Sequence, residues 1–138
     1  VGEYRLLEHT ADMGIEALGA SCEELFIQTA RGLMAILCPD ARTSTEAERR
    51  LRVTGLDREE LLVNWLNEIL YLLQGGDFFP VDFEIEEMGE TLLSARVRGE
   101  AFDPERHPVE REIKAVTYHR LRVEEVDGRW RARVYVDL

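Results

Sequence analysis

Two acidic residues, far apart in the chain, could converge as oxygen ligands. Asp12 falls in a polar turn, His9-Thr10-Ala11-Asp12-Met13, between two short strand patterns. Asp137 lies on the polar face of the last strand pattern, and Leu138 after it adds a main-chain carboxylate. A final strand lodged inside a sheet could carry its end to a turn near the start of the chain. Asp12, Asp137 and Leu138 would then offer several hard oxygens, the donors that Mg²⁺, Mn²⁺ or Ca²⁺ prefer. The plainer reading of the same residues is a turn aspartate bonded to its own backbone and a solvated chain end. A third residue is singular by type: among 17 basic residues, Lys114 is the one lysine. Its ammonium is a compact point charge that a guanidinium does not replace.

Other chemistries are poorly supplied. His9, His107 and His119 are scattered, with no His-x-x-x-His spacing. There is no Cys-x-x-Cys, no Gly-rich phosphate loop and no nucleophile elbow. A metal-dependent hydrolase built on the same carboxylates, or a structural subunit in which they are silent, are competing readings. Cys22 and Cys38 stand at the two ends of one helix pattern, about 24 Å apart at 1.5 Å per residue. A disulfide needs Cα atoms within about 7 Å, so the pair is expected to be two reduced thiols, as in a cytoplasmic protein.

These residues must be positioned by a mixed set of elements. Residues 4–8 and 14–18 read as short strands. Ser21-Cys22-Glu23-Glu24 is a capping box, in which the Ser21 hydroxyl caps the Glu24 amide and Glu24 reaches back to the Ser21 amide. Phe26, Ala30, Leu33, Met34 and Leu37 follow at helical spacing, and Pro39 ends that helix. Leu51 and Val53 alternate with arginines in a third strand over 46–54. Asp57 to Glu60 caps a second helix with a wide apolar stripe through Leu61, Trp65, Ile69 and Leu73, closed by Gly75-Gly76. Clean alternation then gives strands around 81–86, 93–98, 115–123 and 130–137, with Asp127-Gly128 as a hairpin turn. Trp65 and Trp130 are expected in the core. The acidic row Asp82, Glu84, Glu86 and Glu87 reads as a solvated sheet face, or more sharply as a dock for a basic partner. The expected fold is α+β: a compact, single-domain, two-layer sandwich of residues 1–138, with two long amphipathic helices on mostly antiparallel sheet.

Composition bounds the function. A chain of 138 residues that is 45% hydrophobic can bury a core without a disulfide or structural metal. No apolar run approaches the ~20 residues of a membrane span, and the first residues do not pattern as a signal peptide. A net charge of −11 argues against tight, direct nucleic-acid binding, whose affinity comes largely from basic contacts to phosphate. It does suit a basic protein partner.

Four segments, in order, resemble the archease family: His9-Thr10-Ala11-Asp12-Met13-Gly14-Ile15, residues 59–70, Ile113 to His119, and Val134 to Leu138. The resemblance spans essentially the whole chain. It implies a compact α/β sandwich and a non-catalytic accessory role. Members of that family assist the RtcB-type tRNA-splicing RNA ligase, which joins 3′-phosphate or 2′,3′-cyclic phosphate ends to a 5′-hydroxyl through a guanylylated histidine. The resemblance implies promotion of guanylylation and of multiple turnover. It assigns Asp12 and Asp137 to a divalent metal site with Leu138 beside them, and adds Lys114 as the third residue needed to activate the partner. Met13 and Val116 stand where the pattern suggests isoleucine, a change of size and not of chemistry, and His119 takes no role. The alternative is a chaperone or specificity modulator of a tRNA-modifying enzyme such as a methyltransferase. Either way the expected setting is the cytoplasm.

Overall fold

A computed structural model describes residues 2–8 and 12–138. They form, in chain order, β1 (Gly2–Glu8), β2 (Asp12–Gly19), α1 (Cys22–Leu37), β3 (Ala47–Thr54), α2 (Arg58–Gln74), β4 (Phe78–Met88), β5 (Leu92–Ala101), β6 (Ala115–Val126) and β7 (Arg129–Asp137).

The helix ends follow from local chemistry. Ser21 accepts the Glu24 amide at 3.1 Å, as its spacing predicts. The return arm of that box is not made, because the Glu24 carboxylate accepts from Gln28 Nε2 at 2.9 Å instead, one helical turn on. At α2 Asp57 accepts the Glu60 amide at 2.8 Å, and the Glu60 carboxylate reaches past the cap residue to accept the Leu56 amide at 3.1 Å. Cys38 and Gly75 close the two helices, their amides bonding Met34 and Tyr71 carbonyls.

The strands form two antiparallel sheets. The first has the order β1-β2-β7-β6 and the second β3-β5-β4. α1 packs on β1, β2 and β7 of the first sheet and on β4 of the second; α2 packs on β6 of the first and on β3 and β4 of the second. The expectation of two helices on antiparallel sheet is met, with the sheet divided so that each helix meets both parts. Alternation within a strand tells which residues face the core but not which sheet the strand joins. Contact with two sheets explains why α1 buries residues around most of its circumference, from Phe26 and Ala30 to Gln28, Thr29 and Ile36. Trp65 is fully buried, and its Nε1 donates to the Phe26 carbonyl at 2.9 Å, tying α2 to α1. Trp130, expected inside, is only half-buried, with the Arg58 guanidinium 4.9 Å over its ring.

Pro80 sits in β4, an edge strand, where its missing N–H leaves no gap in a central ladder. Asp127 and Gly128 both take positive φ (53° and 77°), the turn that suits strand twist. The acidic row on β4 is answered by the chain's own arginines: Glu86 accepts from Arg50 and Arg96 at 2.9 Å each, and Glu84 pairs with Arg96 at 3.5 Å. That pairing favours the solvated-face reading over a dock for a basic partner. Most relevant to function, β7 lies between β2 and β6, so the last strand is internal to its sheet.

Candidate functional site

The site is set by the register of β2 against β7. Met13, Ile15 and Ala17 on β2, with Val136, Val134 and Ala132 on β7, are buried. Period-two alternation sends the residues between them to the opposite face. On that face the paired residues are Asp12 with Asp137, Gly14 with Tyr135, and Glu16 with Arg133. Asp12 is therefore not a turn residue: it is the first residue of β2, because pairing with β7 runs to its end. Directly opposed residues of an antiparallel pair have Cβ atoms about 4.5–5.5 Å apart. Asp12, half-buried, and Asp137, exposed, thus carry like charges within reach of one common cation.

Lys114 arrives from the other side. It immediately precedes β6, whose first residue, Ala115, pairs with Asp137. The Lys114 amide donates to the Asp137 carbonyl at 2.8 Å. Leu138 is half-buried and packs against the core, which anchors the end of β7. The backbone so brings Asp12, Lys114, Asp137 and Leu138 to one end of the first sheet. Among the described residues, no ion pair involves Asp12, Asp137 or the Lys114 ammonium. His9, with Thr10 and Ala11, lies outside the described residues.

Tyr135, on the polar face two positions before Asp137, is nevertheless only 3% exposed. It has room because Gly14 stands opposite; a Cβ there would lie 2.8 Å from Tyr135 Cε1. Alternation alone marks Tyr135 as a polar-face residue. The signal that could have shown its packing is the glycine inside a strand pattern, a mark of close approach. The ring of His119 tilts against Tyr135 with centroids 6.4 Å apart. Farther along, the Arg133 guanidinium, 2.8 Å from Glu16, holds that carboxyl below the usual range despite its partial burial, with Arg5 helping.

As a metal centre this is a sparse donor set. Among the described residues there is no cluster of three or more His, Cys, Asp and Glu side chains. Two carboxylates with a neighbouring main-chain oxygen suit an ion that keeps several of its waters, as Mg²⁺ does, better than a full protein cage.

Residues 4–138 match the model of the Archease protein family (MTH1598/TM1083). The chain belongs to the archease family. Protein archease of Methanosarcina mazei is 41% identical, with 99% of this chain and 96% of that protein covered. Protein archease of Pyrococcus furiosus is 38% identical, with 99% of each covered. The solution structure of protein 1598 of Methanobacterium thermoautotrophicum superposes with a TM-score of 0.79 at 31% identity, covering 98% of both chains. A Thermotoga maritima archease, described as a possible chaperone, shares the fold with a TM-score of 0.61 at 24% identity, over 96% of this chain and 94% of that one. The archease match takes in both helices and both sheets, so the strand pairing that sets Asp12 opposite Asp137 belongs to the matched region. Among the described residues no helix is long and apolar enough to cross a membrane.

Proposed function

We propose that this chain is a non-catalytic activator of a GTP-dependent RNA ligase of the RtcB type, acting in tRNA splicing and RNA repair through a divalent metal held at Asp12 and Asp137. The supporting observation is the like-charged register pair Asp12–Asp137, with no ion pair to either carboxylate among the described residues. Like charges directly opposed on a sheet are destabilising by about 0.2–1 kcal/mol. A strand end that bears that cost is ready-made for a cation brought from solution.

The ion would be held by both carboxylates and a main-chain oxygen of Leu138, and it would supply charge stabilisation where a triphosphate reacts. The chain's own part is positioning. β7, internal to its sheet, holds Asp137 in fixed register with Asp12. Lys114, tied by its amide to the Asp137 carbonyl, is exposed and available to a carboxylate or phosphate of the partner. Nucleotidyl transfer depends mainly on such placement and charge, so a small protein that adds both at the mouth of another enzyme raises its rate without any nucleophile of its own. The ligase as partner is what the resemblance to the archease family implies.

The test is multiple-turnover joining of RNA by a limiting amount of the cognate ligase, with GTP and Mg²⁺ or Mn²⁺. The arms are no addition, the unmutated chain, Asp12→Asn, Asp137→Asn and Lys114→Ala, with circular dichroism to show that each variant is folded. The expected result is many RNAs joined per ligase with the unmutated chain alone. If the unmutated chain leaves turnover unchanged, the ligase reading fails, and tRNA-modifying enzymes become the partners to test. If the folded variants activate as well as the unmutated chain, the acidic site is not the activating element.

A further inference from the structure

A second feature of the same sheet face has the opposite charge. β6 pairs with β7 from Ala115 to Thr117 and again from Arg122 to Val126, but four residues, Tyr118 to Leu121, are inserted where β7 has one. The bulge places Arg120 in the left-handed region at φ 57°. That conformation is rare outside glycine, asparagine and aspartate, and backbone strain of this kind clusters at binding sites. The bulge borders a cleft of about 420 Å³ lined by Glu16, Arg120, Leu121, Arg122, Arg131 and Arg133. Four guanidiniums there meet one carboxylate, in a chain whose net charge is −11.

Internal carboxylates answer two of the four guanidiniums of this cleft and leave two. Glu16 is taken by Arg133 at 2.8 Å and by Arg5, and Glu124 beside the cleft is taken by Arg131 at 3.0 Å. Arg122 is paired in register with Arg133, like charge opposite like. The second sheet has a comparable pair, Arg50 opposite Arg96, but there Glu86 bridges both at 2.9 Å. Among the described residues no carboxylate hydrogen-bonds Arg120 or Arg122. Arg133 is answered by Glu16, so among the described residues Arg120 and Arg122 are the guanidiniums of the cleft that no carboxylate hydrogen-bonds, on the face that also carries the acidic pair.

We infer that this arginine cleft binds phosphate groups, and that the anion it takes up is a phosphodiester of a single RNA strand or the phosphates of a free nucleotide. Guanidinium forks match phosphate oxygens in pairs. The overall negative charge does not prevent binding, since at physiological salt a charge is screened over about 8 Å and the local arginines outnumber the local carboxylates Glu16 and Glu124. It does keep binding weak and salt-sensitive. Arg133 and Asp137 are four positions apart on one strand, so the cleft lies on the same face as the acidic pair, about 13 Å away at 3.3 Å per residue. A strand bound in the cleft would run toward the acidic end. This inference stands on the cleft alone and does not need the ligase reading.

The experiment is fluorescence anisotropy of labelled oligouridylate with the whole chain at low salt, repeated across a salt series. The cleft variant is Arg120→Ala/Arg122→Ala, both exposed side chains. A control with the same change in charge is Arg50→Ala/Arg98→Ala on the second sheet. The cleft variant is expected to bind about tenfold more weakly or worse, with the salt slope reduced by about one per arginine, while the control stays within about twofold of the unmutated chain. Displacement of the label by tripolyphosphate shows that phosphate is the group recognised. Cleft-dependent binding of tripolyphosphate without binding of oligouridylate assigns the site to a free nucleotide. No binding of either probe, equal loss in both double variants, or stronger displacement by polyglutamate than by tripolyphosphate overturns the inference.

Discussion

Asp12 and Asp137 repel each other across β2 and β7, and that repulsion gives a stability test independent of any partner. Replacing Asp12 with asparagine removes one of the opposed charges while keeping the side chain's shape. In chelator-treated protein, Asp12→Asn is expected to be as stable as the unmutated chain or more so, by about 0.2–1 kcal/mol. For a domain of this size that is a rise of up to about 4 °C in melting temperature. Added Mg²⁺ or Mn²⁺ should raise the melting point of the unmutated chain, because an ion bound to the folded state alone stabilises it, and should leave the variant unmoved. Scanning calorimetry with and without metal reads both effects; a variant that melts well below the unmutated chain without metal shows that Asp12 is holding the fold instead. These two residues were legible in the sequence as oxygen donors, since their type and their places near the two ends of the chain are visible there. Their direct opposition was not, because register depends on which strand lies beside which. The burial of Tyr135 is hidden for a related reason: alternation places it on the polar face, and only the glycine opposite reveals that it is covered.

At the scale of elements, the helices were the most legible part, because their starts and stops are written in short-range chemistry at Ser21, Asp57 and Gly75. Partners such as β2 and β7 depend on contacts between distant segments, and period-two patterning carries no trace of them or of the β6 bulge. The segment after β5 is another case: His107, one of three scattered histidines, turns out to be fully buried. Its ring stacks on Phe79 with centroids 4.0 Å apart. Its Nδ1 accepts the Asp103 amide at 2.9 Å, which leaves the ring proton on Nε2, 3.4 Å from a Glu100 oxygen. Glu100 also takes Arg106 at 2.9 Å and the Ser44 amide, so one carboxylate ties together β5, the loop before β3 and the segment around 103–107. Burial pushes the Glu100 carboxyl up, but Arg106, the Ser44 amide and His107 together hold it below its ordinary value of 4.5. A carboxyl lowered in the folded state contributes stability that is present above its unfolded pKa and lost as pH falls through its folded one. Glu100→Gln is therefore expected to be less stable at neutral pH and to lose less on acidification below pH 4.5, where the unmutated chain steepens. Urea unfolding at a series of pH values checks this; parallel curves for the two proteins would remove Glu100 from the acid response.

For the whole molecule, both cysteines are inside the shared core, and burial raises the Cys22 thiol and pushes Cys38 up to about 11. Since the thiolate is the reactive form, neither should react with an aromatic disulfide reagent near neutral pH while the fold is closed. The rate of labelling, followed by absorbance, is then expected to track the opening of the core: slow in buffer, with both thiols reacting at once in denaturant. Fast labelling of one thiol in buffer would show a local opening near its helix end. The order in which the sheets can close is set by β7. Glu16 on β2 and Arg133 on β7, joined across the first sheet, are 117 positions apart. Contacts of such separation are slow to form, because the intervening chain must be confined before they reward it. During synthesis, β2 must wait with one edge unpaired until β7 leaves the ribosome, and an unpaired edge invites aggregation. In return, Asp12 meets Asp137 only when that last insertion has happened. A chain in which β7 has not entered the sheet cannot display the acidic pair, so whatever recognises it is responding to a closed sheet.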